Sequence, residues 1–253
     1  MCTLVLAAQV FDGHPLVVVA NRDELLDRAS SPPLVWPEGF LAPRDDVAGG
    51  TWLGVNRAGV FVGITNRYLG PQDPTRTSRG AIVKDALALG SARAIHDAMA
   101  RVPPGRHNGF HLVVADAHDV LATASDGASL VQLVLGRGLH TVTERSFGAG
   151  DDTRRRARID DAWQRLVGPP APPGSALPLD LERLSQLLTD HDESDPLGAT
   201  CIHLQGIPYG TRSGAALAIA SKQGSGVASR MLWAEGPPCT TRFAPVSGFD
   251  ETR

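Results

Sequence analysis

Cysteine is scarce in this chain of 253 residues: Cys2, Cys201 and Cys239 are the full set, and no C-x-x-C pair occurs. So sparse and odd a count argues against a disulfide framework or a zinc knuckle, and no metal site is expected. The default compartment is then the reducing cytoplasm. A large excess of either charge is missing too. A net charge of −3 and a pI near 6.2 leave no electrostatic footprint for nucleic acid or an anionic membrane. No run approaches the roughly 20 apolar residues of a membrane helix. The apolar start lacks a basic n-region and is interrupted by Asp12, Gly13 and His14, so it does not read as a signal peptide. Aromatic residues make up 5% and are scattered, which outlines no haem pocket. P-loop, G-x-S-x-G and C-x-x-C-H motifs are absent. Gly148-Ala-Gly-Asp-Asp-Thr153 lacks the third glycine of a dinucleotide loop and puts two acids where a pyrophosphate would sit. The expectation is a soluble cytoplasmic protein, one domain over residues 1–253, whose partner is a small molecule; its oligomeric state is left open.

What is present is a clustered order of elements. Thr3–Val10 and Leu16–Ala20 are apolar, β-branched runs joined by Asp12-Gly13, a strong hairpin signal. Trp52–Val55 and Val60–Thr65 form a second hairpin across Asn56-Arg-Ala-Gly59. Ser78 is a plausible N-cap for a helix over Arg79–Leu89, and Ala92–Val102 follows with helical spacing. Phe110–Ala115, Val120–Ala124, Leu130–Leu135 and Leu139–Thr143 read as a four-stranded meander. Helices are expected over Thr153–Val167 and Leu181–Thr189, with the Pro-rich loop Gly168–Pro178 between them. Strands over Thr200–Leu204, Ala215–Ala220, Val227–Trp233 and Thr240–Val246 close the chain. Strands and helices cluster instead of alternating, so the fold class is α+β, with antiparallel sheets and segregated helices. Two sheets stacked face to face with helices outside would bury all four helices.

Cys2 is the first candidate for chemistry. Methionine aminopeptidase removes Met1 when the next side chain is small, leaving a thiol and a free α-amine on one residue. That amine titrates near roughly 7.7–8.0 and can take the proton of its own thiol. An incidental Cys beside the start is the plainer alternative. Asn21-Arg-Asp-Glu24 ends the second strand, which a hairpin returns to the beginning of the first. Arg22 is then placed to hold a thiolate or a substrate carbonyl and Asp23 to orient the α-ammonium, unless the cluster is a helix N-cap. Asn66, at a strand end, is a candidate oxyanion donor or a turn residue. Arg212, in Thr211-Arg-Ser213 before an apolar strand, either binds a carboxylate or is solvated. Gly49-Gly50 allows a close backbone approach to a ligand or only a sharp turn. His107 and His111 have the spacing of helical metal ligands but flank a strand, where four residues span roughly 13 Å. His191-Asp-Glu193 with Asp195 reads as a solvated loop before it reads as a cation site.

Met1-Cys2, Asn21-Arg-Asp-Glu24, Gly49-Gly-Thr-Trp-Leu-Gly54, Thr65-Asn66, Ser78-Arg-Gly80, Asn108-Gly-Phe110 and Tyr209-Gly-Thr-Arg-Ser213 occur in one order. That order resembles the NRDE family, also called the transport and Golgi organisation 2 family, from Met1 to about Phe243. The resemblance implies the αββα sandwich of N-terminal nucleophile hydrolases. It also implies a site of Cys2, Arg22, Asp23, Asn66 and Arg212, by likeness to the cysteine amidases of that fold, the bile-salt and penicillin V acylase type. One departure stands out. Family members carry His-x-Leu-Ser-Asn where this chain has His140-Thr-Val-Thr-Glu144, and a carboxylate would repel a developing oxyanion. Three functions follow. The first is a hydrolase of an amide or thioester, needing no cofactor. The second is a carrier of haem or acyl-CoA, with Cys2, His14, His140 or His203 as iron ligand and Arg22 or Arg212 meeting propionates or phosphates. The third is a scaffold with no present chemistry.

Overall fold

The computed structural model describes residues 2–67, 69–148, 152–169, 175–221 and 228–248. Met1, residues 170–174 of the proline-rich loop and part of Gly148–Thr153 therefore lie outside the described residues. The chain forms two compact units. The first is built from residues 1–27, 137–141 and 152–247, and the second from 28–136 together with 142–151 and 248–253.

The first unit carries a sheet in the order β10-β1-β2-β11-β12-β13. Its strands are β1 (Cys2–Phe11), β2 (His14–Leu25), β10 (Gly138–Val142), β11 (Tyr209–Ile219), β12 (Arg230–Ala234) and β13 (Ala244–Pro245). β1 and β2 pair antiparallel around Asp12-Gly13, where Gly13 takes the positive φ of 68° that such a turn requires. β2 continues to Leu25, past the Ala20 end read from the sequence, because β11 pairs with it along its whole length. Side chains alternate between faces with a period of two. Val5, Ala7, Val17, Val19, Ala216 and Ala218 point to one face and pack with Ile159 and Trp163 of α3 (Thr153–Leu166) and with Leu181 and Leu184 of α4 (Leu181–Ser185). A 3-10 turn over Gln186–Leu188 adds Leu187 and Leu188 to that cluster. Arg155 of α3 is fully buried; it donates to Thr3 Oγ1 at 3.2 Å and to the Leu197 carbonyl at 2.6 Å, and pairs with Asp152 at 3.5 Å.

The second unit carries a sheet in sequence order, β3 (Ser30–Val35), β4 (Phe40–Asp45), β5 (Leu53–Asn56), β6 (Phe61–Asn66), β7 (Phe110–Ala115), β8 (Val120–Ser125) and β9 (Leu130–Val134), antiparallel throughout. α1 (Arg79–Leu87) and α2 (Ala92–Met99) start at Ser78 and Ser91, whose hydroxyls accept from the Gly80 and Ala94 backbone N–H groups. Asn56, in the turn between β5 and β6, donates to the Leu87 and Leu89 carbonyls at 3.0 and 2.7 Å and so closes the C-terminal end of α1.

The α+β expectation of two antiparallel sheets with segregated helices is met, and four local readings are corrected. Thr200–Leu204 is not a strand: only the bridge His203–Gly210 forms, because the segment is pinned by side chains as well as by backbone. Thr211-Arg-Ser213 lies inside β11 and does not precede it. Asn21-Arg-Asp-Glu24 is strand, so the N-cap alternative falls. The meander has three members, since β10 leaves it to pair beside β1.

Candidate functional site

Cys2 starts β1 directly opposite Arg22 of β2, and Arg22 in turn faces Ser213 of β11. Thr3 reaches Arg155 of α3, so the neighbouring Cys2, with Arg22 and Ser213, occupies the face turned away from α3 and α4. All three are buried, Cys2 at 8% and Arg22 at 5% exposure. Asn21, one residue earlier on β2, points to the other face and donates to the Leu188 and Thr200 carbonyls at 3.0 and 2.7 Å. Its work is to tie β2 to the segments crossing over it. Asp23 is 2% exposed, and its Oδ1 accepts the Thr211 hydroxyl at 2.6 Å. The Thr211 oxygen also accepts from the Ile202 N–H at 2.8 Å, and the Tyr209 hydroxyl donates to the Asp23 carbonyl at 3.0 Å. Thr211 and Tyr209 thus hold Asp23, and Ile202 steadies Thr211. Arg22 lies 3.9 Å from Glu24 across their closest charged atoms.

Burial pushes the Cys2 thiol above its ordinary range, and the nearby Asp23 charge adds to the rise. The Arg22 guanidinium and the Asp23 backbone N–H pull in the opposite direction without winning. A buried thiol of this kind is protonated near neutral pH and reacts only if a base takes its proton.

Arg212 is the extra residue of a β-bulge. The pairing shifts between Thr211 and Ser213, so Asp23 faces Thr211 while Arg22 faces Ser213. Its guanidinium reaches back to the Leu26 carbonyl at 2.8 Å, across the end of β2. The first unit therefore brings Cys2, Arg22, Asp23 and Arg212 to one end of the β1-β2-β11 ladder. Asn66 belongs to the second unit, at the end of β6, paired with Phe110. Glu144 is also in the second unit and is 2% exposed.

Other candidates resolve into structure. Gly50 is a close-approach glycine: a Cβ there would lie 2.6 Å from the Gly80 backbone carbon, so Gly50 and Gly80 seat α1 on the sheet. His107 and His111 do sit before and within β7, and each uses its Nδ1 on a backbone carbonyl, of Thr77 and of Thr143. Asp190, Asp192 and Asp195 surround Arg158 at 3.2, 2.6 and 3.5 Å, so the acidic loop is neutralised by α3. A cavity of about 240 Å³ lies within the second unit, lined by Val102, His107, Phe110 and Leu130 among others, and none of the Cys2 cluster borders it.

One grouping escaped the sequence reading. Cys201, His203 and Cys239 bring their side-chain donor atoms within 4.8 Å of one another. Burial pushes the Cys201 thiol up to about 12. Only the short Cys201-x-His203 spacing hinted at this; Cys239 arrives from the far side of β12.

The comparisons agree with this architecture. The family model described as Transport and Golgi organisation 2 matches residues 1–232. The mouse (Mus musculus) and human (Homo sapiens) Transport and Golgi organization 2 homologues are each 31% identical over 111 residues, which is 42% of this chain and 40% of either relative. The aligned stretch thus spans well under half the length of those relatives. Among solved structures, a Caenorhabditis elegans ortholog of N-acylethanolamine-hydrolyzing acid amidase is similar with a TM-score of 0.59 at 14% identity, over 88% of this chain and 94% of that one. Two altered forms of the conjugated bile acid hydrolase from Clostridium perfringens are similar as well. The cysteine-to-alanine mutant has a TM-score of 0.54 over 97% of this chain and 92% of that one, and the arginine-to-leucine variant 0.58 over 98% and 92%, both at 11% identity. These likenesses show a shared fold, that of N-terminal nucleophile hydrolases. With Asn21–Glu24 and Tyr209–Ser213 lying along the ladder that holds Cys2, and with the family model running almost from end to end, the chain belongs to the Transport and Golgi organisation 2 family.

Proposed function

We propose that this protein is an N-terminal cysteine hydrolase acting on an amide or thioester carbonyl of a small molecule. The observation that carries the reading is the placement of Cys2 opposite Arg22, beside an Asp23 held by Thr211 and Tyr209. The fold neighbours lend it weight, since both are named for hydrolysing an amide or a conjugate, and one was studied as a mutant of the cysteine at its own second position.

In this reading, removal of Met1 frees the Cys2 α-amine. The amine takes the thiol proton, and the sulfur attacks the substrate carbonyl carbon, forming a C–S bond and an oxyanion. Arg22 offsets the charge on the thiolate before attack, and Asp23 orients the ammonium. Collapse of the tetrahedral intermediate breaks the C–N or C–S bond, and the α-ammonium returns the proton to the leaving group. Water, deprotonated by the same amine, then cleaves the acyl-cysteine and restores the thiol. Arg212, at the same end of the ladder, is read as the partner of a substrate carboxylate. A buried thiol with a raised pKa suits this scheme because it is inert until its own amine acts as base.

The test is the intact mass of the purified protein before and after one equivalent of iodoacetamide, followed by a panel of amide and thioester substrates. Loss of Met1, selective alkylation of Cys2 and turnover abolished by Cys2→Ser are expected, with Arg22→Ala slowing turnover more than it lowers the melting temperature. Retained Met1, or turnover unchanged in Cys2→Ser, overturns the hydrolase. The protein would then be read as a carrier of haem or acyl-CoA.

A further inference from the structure

A cysteine cluster that does not include Cys2 has the makings of a metal centre. Cys201 Sγ lies 3.6 Å from His203 Nε2, and the same nitrogen lies 3.1 Å from Cys239 Sγ. Two sulfurs converging on one imidazole nitrogen cannot both be satisfied by it, because Nε2 carries either one proton or one lone pair. A single cation at the centre of the triangle would satisfy all three. For tetrahedral zinc, with Zn–S near 2.3 Å and Zn–N near 2.0–2.1 Å, the S···N edges are roughly 3.6 Å and the S···S edge roughly 3.8 Å. One observed S···N edge has that length and the other is shorter at 3.1 Å, and all three ligand atoms lie within 4.8 Å of one another.

The three ligands come from backbone that is already fixed. Cys201 N donates to the Asp190 carbonyl at 2.8 Å. His203 is flanked by Thr211 N to Ile202 O at 2.8 Å and Leu204 N to Tyr209 O at 3.2 Å, which lash its segment to the start of β11. Gly210 permits that approach, since a Cβ there would lie 2.6 Å from the Ile202 oxygen. Cys239 sits in a turn closed by the Thr240 and Thr241 N–H groups on the Pro237 carbonyl at 3.0 and 2.9 Å. The His191 ring stands edge-on to the His203 ring, 4.5 Å between centroids, and limits its rotation. Cys201 is buried while His203 and Cys239 are half-buried, so a cation has a way in from the outer two.

We propose that Cys201, His203 and Cys239 bind one zinc ion, with the fourth position open to water or an exogenous ligand. Two thiolates and Zn²⁺ sum to zero, a charge suited to a site that is partly buried, and binding releases the two thiol protons to solvent. Soft thiolates with one imidazole favour zinc over magnesium or calcium.

The experiment loads the reduced, metal-stripped full chain with one to three equivalents of Zn²⁺, removes excess, and measures metal per chain by mass spectrometry. Co²⁺ then serves as an optical probe of tetrahedral thiolate ligation. One zinc per chain is expected in the parent and in Cys2→Ser, which shows that Cys2 is not the ligand. Cys239→Ala and His203→Ala should bind at least about 100-fold more weakly, a ligand counting for more than the 10–100-fold of an outer-shell partner. Cys239 is half-buried, so far-UV circular dichroism of Cys239→Ala should match the metal-free parent. Stoichiometry near zero in the reduced parent, undiminished binding by Cys239→Ala and His203→Ala, or a Cys201–Cys239 disulfide that re-forms in the presence of Zn²⁺ overturns the proposal.

Discussion

Mild acid should weaken the second unit through one imidazole. His111 on β7 is fully buried, with Nδ1 2.9 Å from the Thr143 carbonyl and 3.2 Å from Thr65 Oγ1. A carbonyl only accepts, so Nδ1 carries the proton and Nε2 is the basic nitrogen. Nε2 is buried with no hydrogen-bond partner among the described residues, and the ring stands edge-on to Phe147. Protonation there would place a charge among apolar atoms. Burial therefore pushes the His111 pKa down to about 4, with the Thr143 bond opposing and the Arg67 charge assisting. The unfolded chain takes up this proton near pH 6.5 while the folded one refuses it. The associated stability is thus complete above about pH 6.5, falls as pH drops, and is gone once pH passes below the folded value. At about 1.36 kcal/mol per pH unit, the loss between pH 6.5 and 5 is about 2 kcal/mol and over the whole window about 3 kcal/mol. Urea unfolding followed by tryptophan fluorescence at pH 7, 6.5, 6, 5.5 and 5 measures it, in the wild type and in His111→Gln. The variant should start lower at pH 7 and decline less steeply, by about 2 kcal/mol, over that range. Parallel profiles, or a His111 titration near 6.5 by NMR, would refute the reasoning.

Asn21→Ala should cost about 2–4 kcal/mol although the residue belongs to a family motif. It strips the donors from the Leu188 and Thr200 carbonyls, each loss costing about 1–3 kcal/mol, partly offset by relief of the Asn21 carbonyl oxygen, which has no partner among the described residues. A thermal melt showing less than about 1 kcal/mol would mean that the two carbonyls re-pair. Gly50→Ala should destabilise by about 1–3 kcal/mol, because its Cβ meets the Gly80 backbone and α1 must move. Hydrogen exchange should show the loosening concentrated in α1, and uniform protection would contradict the seat described for Gly80.

Much of the fold was legible where local chemistry decides it. Asp12-Gly13 announced the first hairpin, and the Ser78 cap and the apolar run Phe110–Ala115 marked elements that the structure has at the same positions. β3 and β4 were missed because Pro32 and Pro33 argue against a strand. As an outermost strand with its pairing shifted between Ser31 and Leu34, β3 tolerates them. The ends of β2 and β11 were read short for a different reason. Asn21 to Glu24 and Tyr209 to Ser213 are too polar to look like strand, and their extended form comes from pairing with each other. The proximity of Cys2 to Arg22 followed from counting back along a hairpin. That of Cys239 to Cys201 had no such ruler, since it depends on turns around Pro237 and His203 that no short-range pattern specifies.

The extra residue at Arg212 also works as a phase shifter. On its carboxyl side Ser213 and Ala215 keep step with Arg22 and Ala20. On its amino side Thr211 keeps step with Asp23, although Thr211 and Ser213 are both odd-numbered. Deleting Arg212 would leave Thr211 opposite Asp23 and Ser213 opposite Arg22 as neighbours in a regular ladder, and would remove the guanidinium that reaches the Leu26 carbonyl. What the bulge adds is the Arg212 side chain itself, carried at the end of the ladder while Thr211 and Ser213, of like parity, serve opposite faces of the strand.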